Sequence, residues 1–570
     1  MVLILTSNFF NYDEKELQLQ KLDTACLAST EFRQPTCKYI LSHVPHNLGD
    51  TELLSVCGCL CTAPMQGPSF SFLLLSFFLL LLFVYWKSSR GKDHTHKLPP
   101  GPWKLPLIGN LHQLVFSSLP HRCLRDLAVK YGPIMQLQMG EELAIIISTP
   151  EVAKEVLKTH DLVFSNRPST AAMDVLSYDR SGIVFTPYGE YWRQMRKICV
   201  MEFLSAKRAH LFRSIREDEV GNLIEFISLS GGLPINLTEK IYSLMNSITS
   251  RAAFGKKCKY EKEFISVIED IIRVTAGFEV PDFFPSLKFL SLLTRMKAEV
   301  QEIQRKRDKI LDDIINEHEM KGRTATSADE SSNHHEDLID VLLKQQKTGG
   351  LEFNITRNHI KAVTQDFVSA GSETTATTIE WAMSEMLRNP RVMEKAQAEV
   401  RRVLDVGRNI DETDIQKLDY LKSVVKETLR LHPPVALNLR KSREKCEISG
   451  YEIPSNMKVI INVWAIGRDP EYWIDAECFR PERFHSSSVD FKGANFEFIP
   501  FGGGRRICPG ILPGLASVEL ALSQLLLHFD WKLPNEIKPE ELEMSESMGL
   551  TIKRKNNLYL IATPWNPFPN

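Results

Sequence analysis

At 570 residues the chain is too long for a peptide hormone, a small adaptor or a disulfide-stapled miniprotein. Hydrophobic residues at 43% and charged residues at 25% match the globular average and exclude a mostly disordered chain. Lys+Arg 69 against Asp+Glu 71 leaves a net charge of -2, without the basic excess of a nucleic-acid binder, so no nucleic-acid partner is expected.

In chain order, residues 1–64 hold five of the eleven cysteines: Cys26, Cys37, Cys57, Cys59 and Cys61. An odd total argues against a closed disulfide set, and CGCLC lacks a completing pair at zinc-finger distance. Met65 stands where a natural start would fall, so 1–64 reads as an atypical extension, non-native or dispensable. Phe70 to Trp86 carries no charge, with Ser71 and Ser76 its polar interruptions. As a helix it spans about 26 Å, enough for a thin bilayer core. Tyr85 and Trp86 end it as interfacial aromatics, and Lys87, Arg90, Lys92 and Lys97 follow against the acid Asp93. This flank places the C-terminal side in the cytoplasm. No small-residue cleavage pattern follows directly, which disfavours a signal peptide. Residues 65–97 therefore read as a single membrane anchor with its basic flank.

Residues 98–570 read as one folded body, entered through the stiff hinge Leu98-Pro-Pro-Gly-Pro-Trp103. Strands are expected at Ile134–Met139, Ala144–Ser148 and Lys458–Val463. Helical periodicity covers Ile360 to Asn389 and stops at Pro390; further helices are expected at Val392–Leu404 and Leu418–Leu431. The polar run Lys321 to Asp337 reads as a surface loop with His334 and His335 solvated. The expected fold class is mainly α with a minor β-sheet (α+β).

The strongest chemical signal is Phe501-Gly-Gly-Gly-Arg-Arg-Ile-Cys-Pro-Gly510. Glycines around one cysteine let backbone approach a flat ligand and free amide N–H groups to point at sulfur. Those bonds, with the adjacent Arg506, favour the Cys508 thiolate, a soft axial ligand for haem iron. Three rivals stay open here: a phosphate loop, which needs a Lys-Ser/Thr pair absent from this run; a protease nucleophile without a partnered-His signature; and a structural cysteine.

The form F-x-x-G-x-R-x-C-x-G is filled at Phe501, Gly504, Arg506, Cys508 and Gly510. Here the sequence resembles the cytochrome P-450 superfamily, from Pro99 to about Pro564. Ala370-Gly-Ser-Glu-Thr-Thr375 matches its oxygen-activation motif, Glu427 and Arg430 its E-x-x-R, and Trp192 to Arg196 its W-x-x-x-R. The resemblance implies a long central helix, widened near Gly371, over haem b, with the Cys508 thiolate as the iron ligand. It implies Thr374 and Glu373 as the catalytic proton-relay pair. Trp192, Arg196, Arg440 and Arg506, with Phe501, Gly504 and Gly510, become the implied haem-binding residues. Trp192 and Arg196 are four apart, so they share a helix face. Glu427, Arg430 and Arg483 become a structural charge cluster locking the core around the cysteine loop.

The stretches PPGPWKLPLIGNLHQL, HDLVFSNRP and PYGEYWRQMRKICV are similar to the plant microsomal class, above all its terpenoid and indole-alkaloid hydroxylases. This implies a single-pass protein of the endoplasmic reticulum membrane with its catalytic body in the cytosol. It also implies NADPH-derived electrons from a membrane reductase and hydroxylation of an apolar terpenoid or alkaloid. Val363, Phe367, Ala370, Val435, Asn438 and Leu550 are the implied substrate-facing residues.

Two departures from the family pattern stand out. Val435-Ala-Leu-Asn-Leu-Arg440 is one residue shorter than usual, with Asn438 polar where an aliphatic is usual. Pro513 replaces a usual aromatic; inside a helix it would remove a hydrogen bond at ~3 kcal/mol or more, and weaker haem retention is expected. Two other readings accompany the monooxygenase. One is a reductase-independent haem isomerase or dehydratase, which typically lacks the Glu-Thr pair present here. The other is an inactive haem-binding relative.

Overall fold

A computed structural model of the chain describes residues 70–89, 97–115, 119–255, 260–275, 280–287, 296–324, 336–349, 352–404 and 412–565. The 1–64 extension with its cysteines, most of the basic flank, His334 and His335 lie outside the described residues. The chain forms two units, 1–94 and 95–570. In the first, an unbroken Leu/Phe run without internal Gly or Pro forms the helix Phe70–Ser89, and Phe72, Leu74, Leu75, Phe77 and Phe78 are exposed on it.

In the second unit, the main sheet holds β1 (Ile134–Met139), β2 (Glu142–Ile147), β3 (Leu437–Lys441) and β4 (Lys458–Asn462), in the order β1-β2-β4-β3. β2 starts earlier than expected because Glu142 pairs with Met139 to close a hairpin. β4 ends at Asn462, whose side chain accepts from the Ala465 N–H at 3.0 Å and turns the chain into a short helix. β3 runs antiparallel to β4 and sets Asn438 opposite Ile461.

The longer helices used below are α1 (Glu190–Cys199), α2 (Leu237–Phe254), α3 (Glu261–Thr275), α4 (Met296–Thr324), α5 (Leu338–Thr348), α6 (Arg357–Arg388), α7 (Pro390–Val403), α8 (Asp419–Leu431) and α9 (Ile511–His528). The expected polar loop is partly ordered at its ends: Lys321 to Thr324 finish α4, and Asp337 caps α5. His318 Nε2 meets Asp337 Oδ2 at 2.8 Å and ties these two helices together.

The 32-residue α6 begins where the Thr356 side chain accepts from the His359 N–H, and Pro390 restarts the chain as α7. Its first half packs Val363 and Val368 into one apolar mass with α1, α3, α4 and α5. Its second half packs Ala376, Ile379, Met383 and Met386 into another with α2, α7, α8 and α9. A helix buried on nearly every side is a core spine. A Cβ on Gly371 would stand 3.0 Å from Thr249 of α2, whose hydroxyl meets the Ser372 hydroxyl at 2.6 Å. Gly371 therefore allows a close helix crossing, and α6 stays α-helical there rather than widening.

Pro513 corrects an expectation. The helix after Cys508 starts only at Ile511, so Pro513 is its third residue and the first backbone bond closes behind it, Gly514 N–H to the Gly510 carbonyl at 3.0 Å. An N–H at that position has no partner within the helix, so proline removes none of its bonds.

Candidate active site

The cysteine loop is shaped by contacts that only its own residues permit. Gly504 sits at φ +66, and a Cβ there would lie 2.2 Å from the Leu157 carbonyl oxygen. The Cys508 N–H donates to the Phe501 carbonyl at 3.0 Å, folding the loop back on itself. Burial pushes the Cys508 thiol up, while a backbone bond at Gly510 and the charges of Arg196 and Arg167 pull it down. Arg506, expected to act on the sulfur, turns instead to the carbonyls of Ser165 at 2.7 Å and Thr186 at 2.6 Å.

Behind the loop, Glu427 is fully buried and accepts from Arg430 Nε at 2.8 Å, Arg483 Nε at 2.9 Å and the Arg480 N–H at 2.7 Å. Arg430 also donates to the carbonyls of Gly467 at 2.7 Å and Ala476 at 2.6 Å. This bolts the end of α8 to the irregular segment leading to the cysteine loop, and the three predicted residues do meet.

Cys508, Phe501 and Gly510 line a cavity of about 340 Å³, with Thr374, Ala370 and Phe367 of α6 also in its wall. Arg167, Arg196 and Arg506 line it too. Trp192 lines neither this cavity nor the next; its indole N–H donates to the Ile183 carbonyl at 2.9 Å, and its ring lies 4.1 Å from the Arg506 guanidinium and 5.3 Å from that of Arg196. The predicted pair thus splits: Arg196 reaches the cavity, and Trp192 holds the arginines.

Arg440 lies beside Arg167, both donating to Asn438 Oδ1. Among the described residues, none of these four arginines forms a salt bridge; their bonds run to carbonyls and to Asn438. Burial and mutual repulsion pull Arg506 down to about 9, Arg167 to about 10, and Arg440 well below its ordinary value. Arg440 Nη2 and Arg167 Nε are buried without partners. A cluster of cations with spare donors calls for an anion. A flat dianion that also presents a metal to a thiol satisfies both features, so the residues fit haem.

A second cavity of about 210 Å³ shares Arg167, Val184, Asp366, Ala370, Thr374 and Val435 with the first. Leu550 lines it, with Met173, Leu176 and Leu437; Val435 lines both, and Asn438 and Phe367 line the first alone. Val363 lines neither and is packed in the apolar core. Glu373 faces this second cavity and accepts from the Thr551 hydroxyl. Burial pushes the Glu373 carboxyl up, against the pull of that bond. The Thr374 hydroxyl donates to the Ala370 carbonyl at 2.7 Å.

Sequence reasoning missed Asp366, which lines both cavities and accepts from the N–H groups of Ile183 at 2.7 Å and Val184 at 3.0 Å. Burial raises it to about 6. A carboxylate in an otherwise apolar stretch of a core helix was the available signal. Arg167 was missed too, although it sits in the HDLVFSNRP stretch.

A family model for cytochrome P-450 matches residues 99–561. Melianol synthase of Ailanthus altissima is 55% identical over 505 residues, covering 89% of this chain and 96% of that one. Premnaspirodiene oxygenase of Hyoscyamus muticus is 52% identical over 501 residues, covering 87% and 99%. A solved zebrafish cytochrome P-450 with abiraterone matches at a TM-score of 0.66 and 25% identity, over 78% of this chain and 99% of that one. The chain belongs to the cytochrome P-450 family. It is a monooxygenase of that family, and its plant relatives agree with the group indicated by its motifs. Membership implies haem held by a cysteine thiolate and electrons from a redox partner.

Proposed function

We propose that this protein hydroxylates an apolar terpenoid-sized skeleton with electrons from an NADPH-dependent membrane reductase. The observation that carries it is one cavity joining Cys508 to Arg167, Arg196 and Arg506, which form no salt bridge among the described residues, continuous in its walls with an apolar second cavity along α6. Cys508 would hold the iron through its sulfur, and Arg167, Arg196 and Arg506 in the cavity wall, with Arg440 beside Arg167, would hold the propionates. When bound, haem supplies the iron that activates dioxygen, and a thiolate ligand favours oxygen–oxygen cleavage. The relatives' names, a melianol synthase and a premnaspirodiene oxygenase, support a terpenoid substrate. The second cavity would take that substrate, with Leu550, Val435 and Leu437 against its hydrocarbon face.

Thr374 and Glu373 divide the proton work. The Thr374 hydroxyl stands in the wall shared by both cavities and can turn from the Ala370 carbonyl to donate a hydrogen bond into the cavity beside Cys508. Glu373, with its carboxyl pushed up by burial and steadied by Thr551, can hold a proton nearer neutrality than an ordinary glutamate. The helix Phe70–Ser89, within the 65–97 segment, would anchor the 98–570 body to the endoplasmic reticulum membrane from its cytosolic side.

The experiment is the carbon monoxide difference spectrum of the reduced protein, followed by turnover in reductase-containing membranes. The parent should show the red-shifted thiolate band, and Cys508→Ser should lose it. Thr374→Ala should keep the band and continue to consume NADPH, while product per NADPH falls and hydrogen peroxide rises. A parent without the band sinks the haem-thiolate reading; an unchanged product ratio in the threonine variant moves the proton path elsewhere.

A further inference from the structure

The family pattern has no ready place for a polar side chain at Asn438, yet the structure gives this one a specific task. Asn438 is buried on β3, and its amide oxygen accepts from two guanidiniums: Arg167 Nη1 at 3.2 Å and Arg440 Nη1. Both arginines also reach the Leu439 carbonyl, from Arg167 Nη1 at 2.7 Å and from Arg440 Nη1 at 3.2 Å. Two like charges are thus held side by side on neutral oxygens, and each keeps one buried donor unpartnered, Arg167 Nε and Arg440 Nη2.

The cysteine loop is fitted to the same amide. Gly502 lies at φ +72, and a Cβ there would stand 2.7 Å from Asn438 Nδ2 and 3.8 Å from Arg440 Nη2. One side chain therefore touches the loop that carries Cys508 and the two cations that lack a counter-charge. An aliphatic residue of similar size would leave both Nη1 donors with the Leu439 carbonyl alone, and repulsion would push the guanidiniums apart.

We propose that Asn438 is a positioning residue: it clamps Arg167 and Arg440 together so that Arg167 is held in the wall of the cavity beside Cys508 with Arg440 next to it, and thereby sets how tightly the haem is held and how readily it is reduced. This rests on the haem-thiolate reading above. An electron added near a positive charge is stabilised, so separating the arginines disfavours reduction. Burial lowers Arg440 most, and the neighbouring charge of Arg167 lowers it further, as in a pair held together against its own charge.

The test uses full-length protein in membranes or detergent, with Asn438→Val and Asn438→Asp beside the parent. Three readouts are taken: the carbon monoxide spectrum, the rate of haem transfer to an excess of apo-globin, and the midpoint potential by spectroelectrochemistry. Asn438→Val should keep the thiolate band, lose haem at least tenfold faster, and shift the one-electron reduction equilibrium tenfold, about 59 mV lower. Asn438→Asp keeps the acceptor and adds a negative charge. It supplies the counter-charge that the two arginines lack, so it should lose haem faster than the parent and show a lower potential. Parental rate and potential in the valine variant overturn the proposal. If the valine variant fails to fold, the aspartate variant decides, and parental haem retention and potential in it overturn the proposal as well. Absence of the thiolate band from the parent itself would instead mark failure of the haem-thiolate reading.

Discussion

Asp366 shows how a single titratable residue couples a helix to the loop that walls both cavities. Its carboxylate accepts two adjacent backbone N–H groups, from Ile183 and Val184, and a Cβ on neighbouring Gly182 would lie 2.1 Å from its Oδ2. Burial outweighs these bonds and raises it from 3.8 to about 6. The folded state therefore keeps a proton that the unfolded chain has lost between those values. Its contribution to stability is full below 3.8 and is lost as pH rises through about 6. Above that, the fold carries the cost of a buried charge. Asp366→Asn retains an acceptor for the two N–H groups and abolishes the titration. It should gain up to about 3 kcal/mol at pH ~7.5 and about half of that near pH ~5, since a tenfold change in a protonation equilibrium corresponds to about 1.4 kcal/mol. Melting temperatures of haem-loaded parent and variant across this range check the sign, and a pH-independent difference between them rejects the assignment.

Among elements, the junction between α8 and the irregular segment ahead of the cysteine loop is fixed by charge rather than by apolar packing alone. One carboxylate, Glu427, faces two guanidiniums and a backbone N–H in a space closed to water. Removing it leaves Arg430 and Arg483 without their carboxylate inside the protein, and breaking such a buried pair costs about 3–5 kcal/mol. Glu427→Gln should therefore lower the unfolding free energy by that amount and release haem, although it touches neither cavity. Retained haem and parental stability in a denaturant titration would show that the junction is held by packing. The junction also shows what sequence spacing can convey. Glu427 and Arg430 are three apart on a helix, so their pairing was legible, and α6 was legible from thirty residues of helical periodicity ending at a proline. Asn438 was legible only as an anomaly, because Arg167 lies 271 residues away and reaches it through the fold. Pro513 was misjudged for a local reason: the backbone turn at Gly510 delays the helix start, placing the proline in a first turn that needs no N–H.

For the whole molecule, the proposed membrane anchor makes the orientation of the body a testable property. The helix Phe70–Ser89 exposes Leu and Phe side chains, and the sequence after it is basic, which favours retention of that end in the cytoplasm. The body carries its own reporters of orientation in the sequons Asn236-Leu-Thr and Asn354-Ile-Thr. Asn354 is exposed just ahead of α6, open to a modifying enzyme, whereas Asn236 uses its side chain to accept from the Glu239 N–H at 3.3 Å. A body folded in the cytosol never meets the lumenal glycosylation machinery, so the exposed Asn354 should remain bare. In microsomes, the full chain should resist extraction by alkaline carbonate, and enzymatic deglycosylation should leave its gel mobility unchanged. A chain starting at Thr95 should be released by the same wash with its haem retained, because the 95–570 unit contains its own core and the cysteine loop. A mobility shift traced to Asn354 would place the body in the lumen, out of reach of a cytosolic electron donor, and would reverse the orientation drawn from the basic flank.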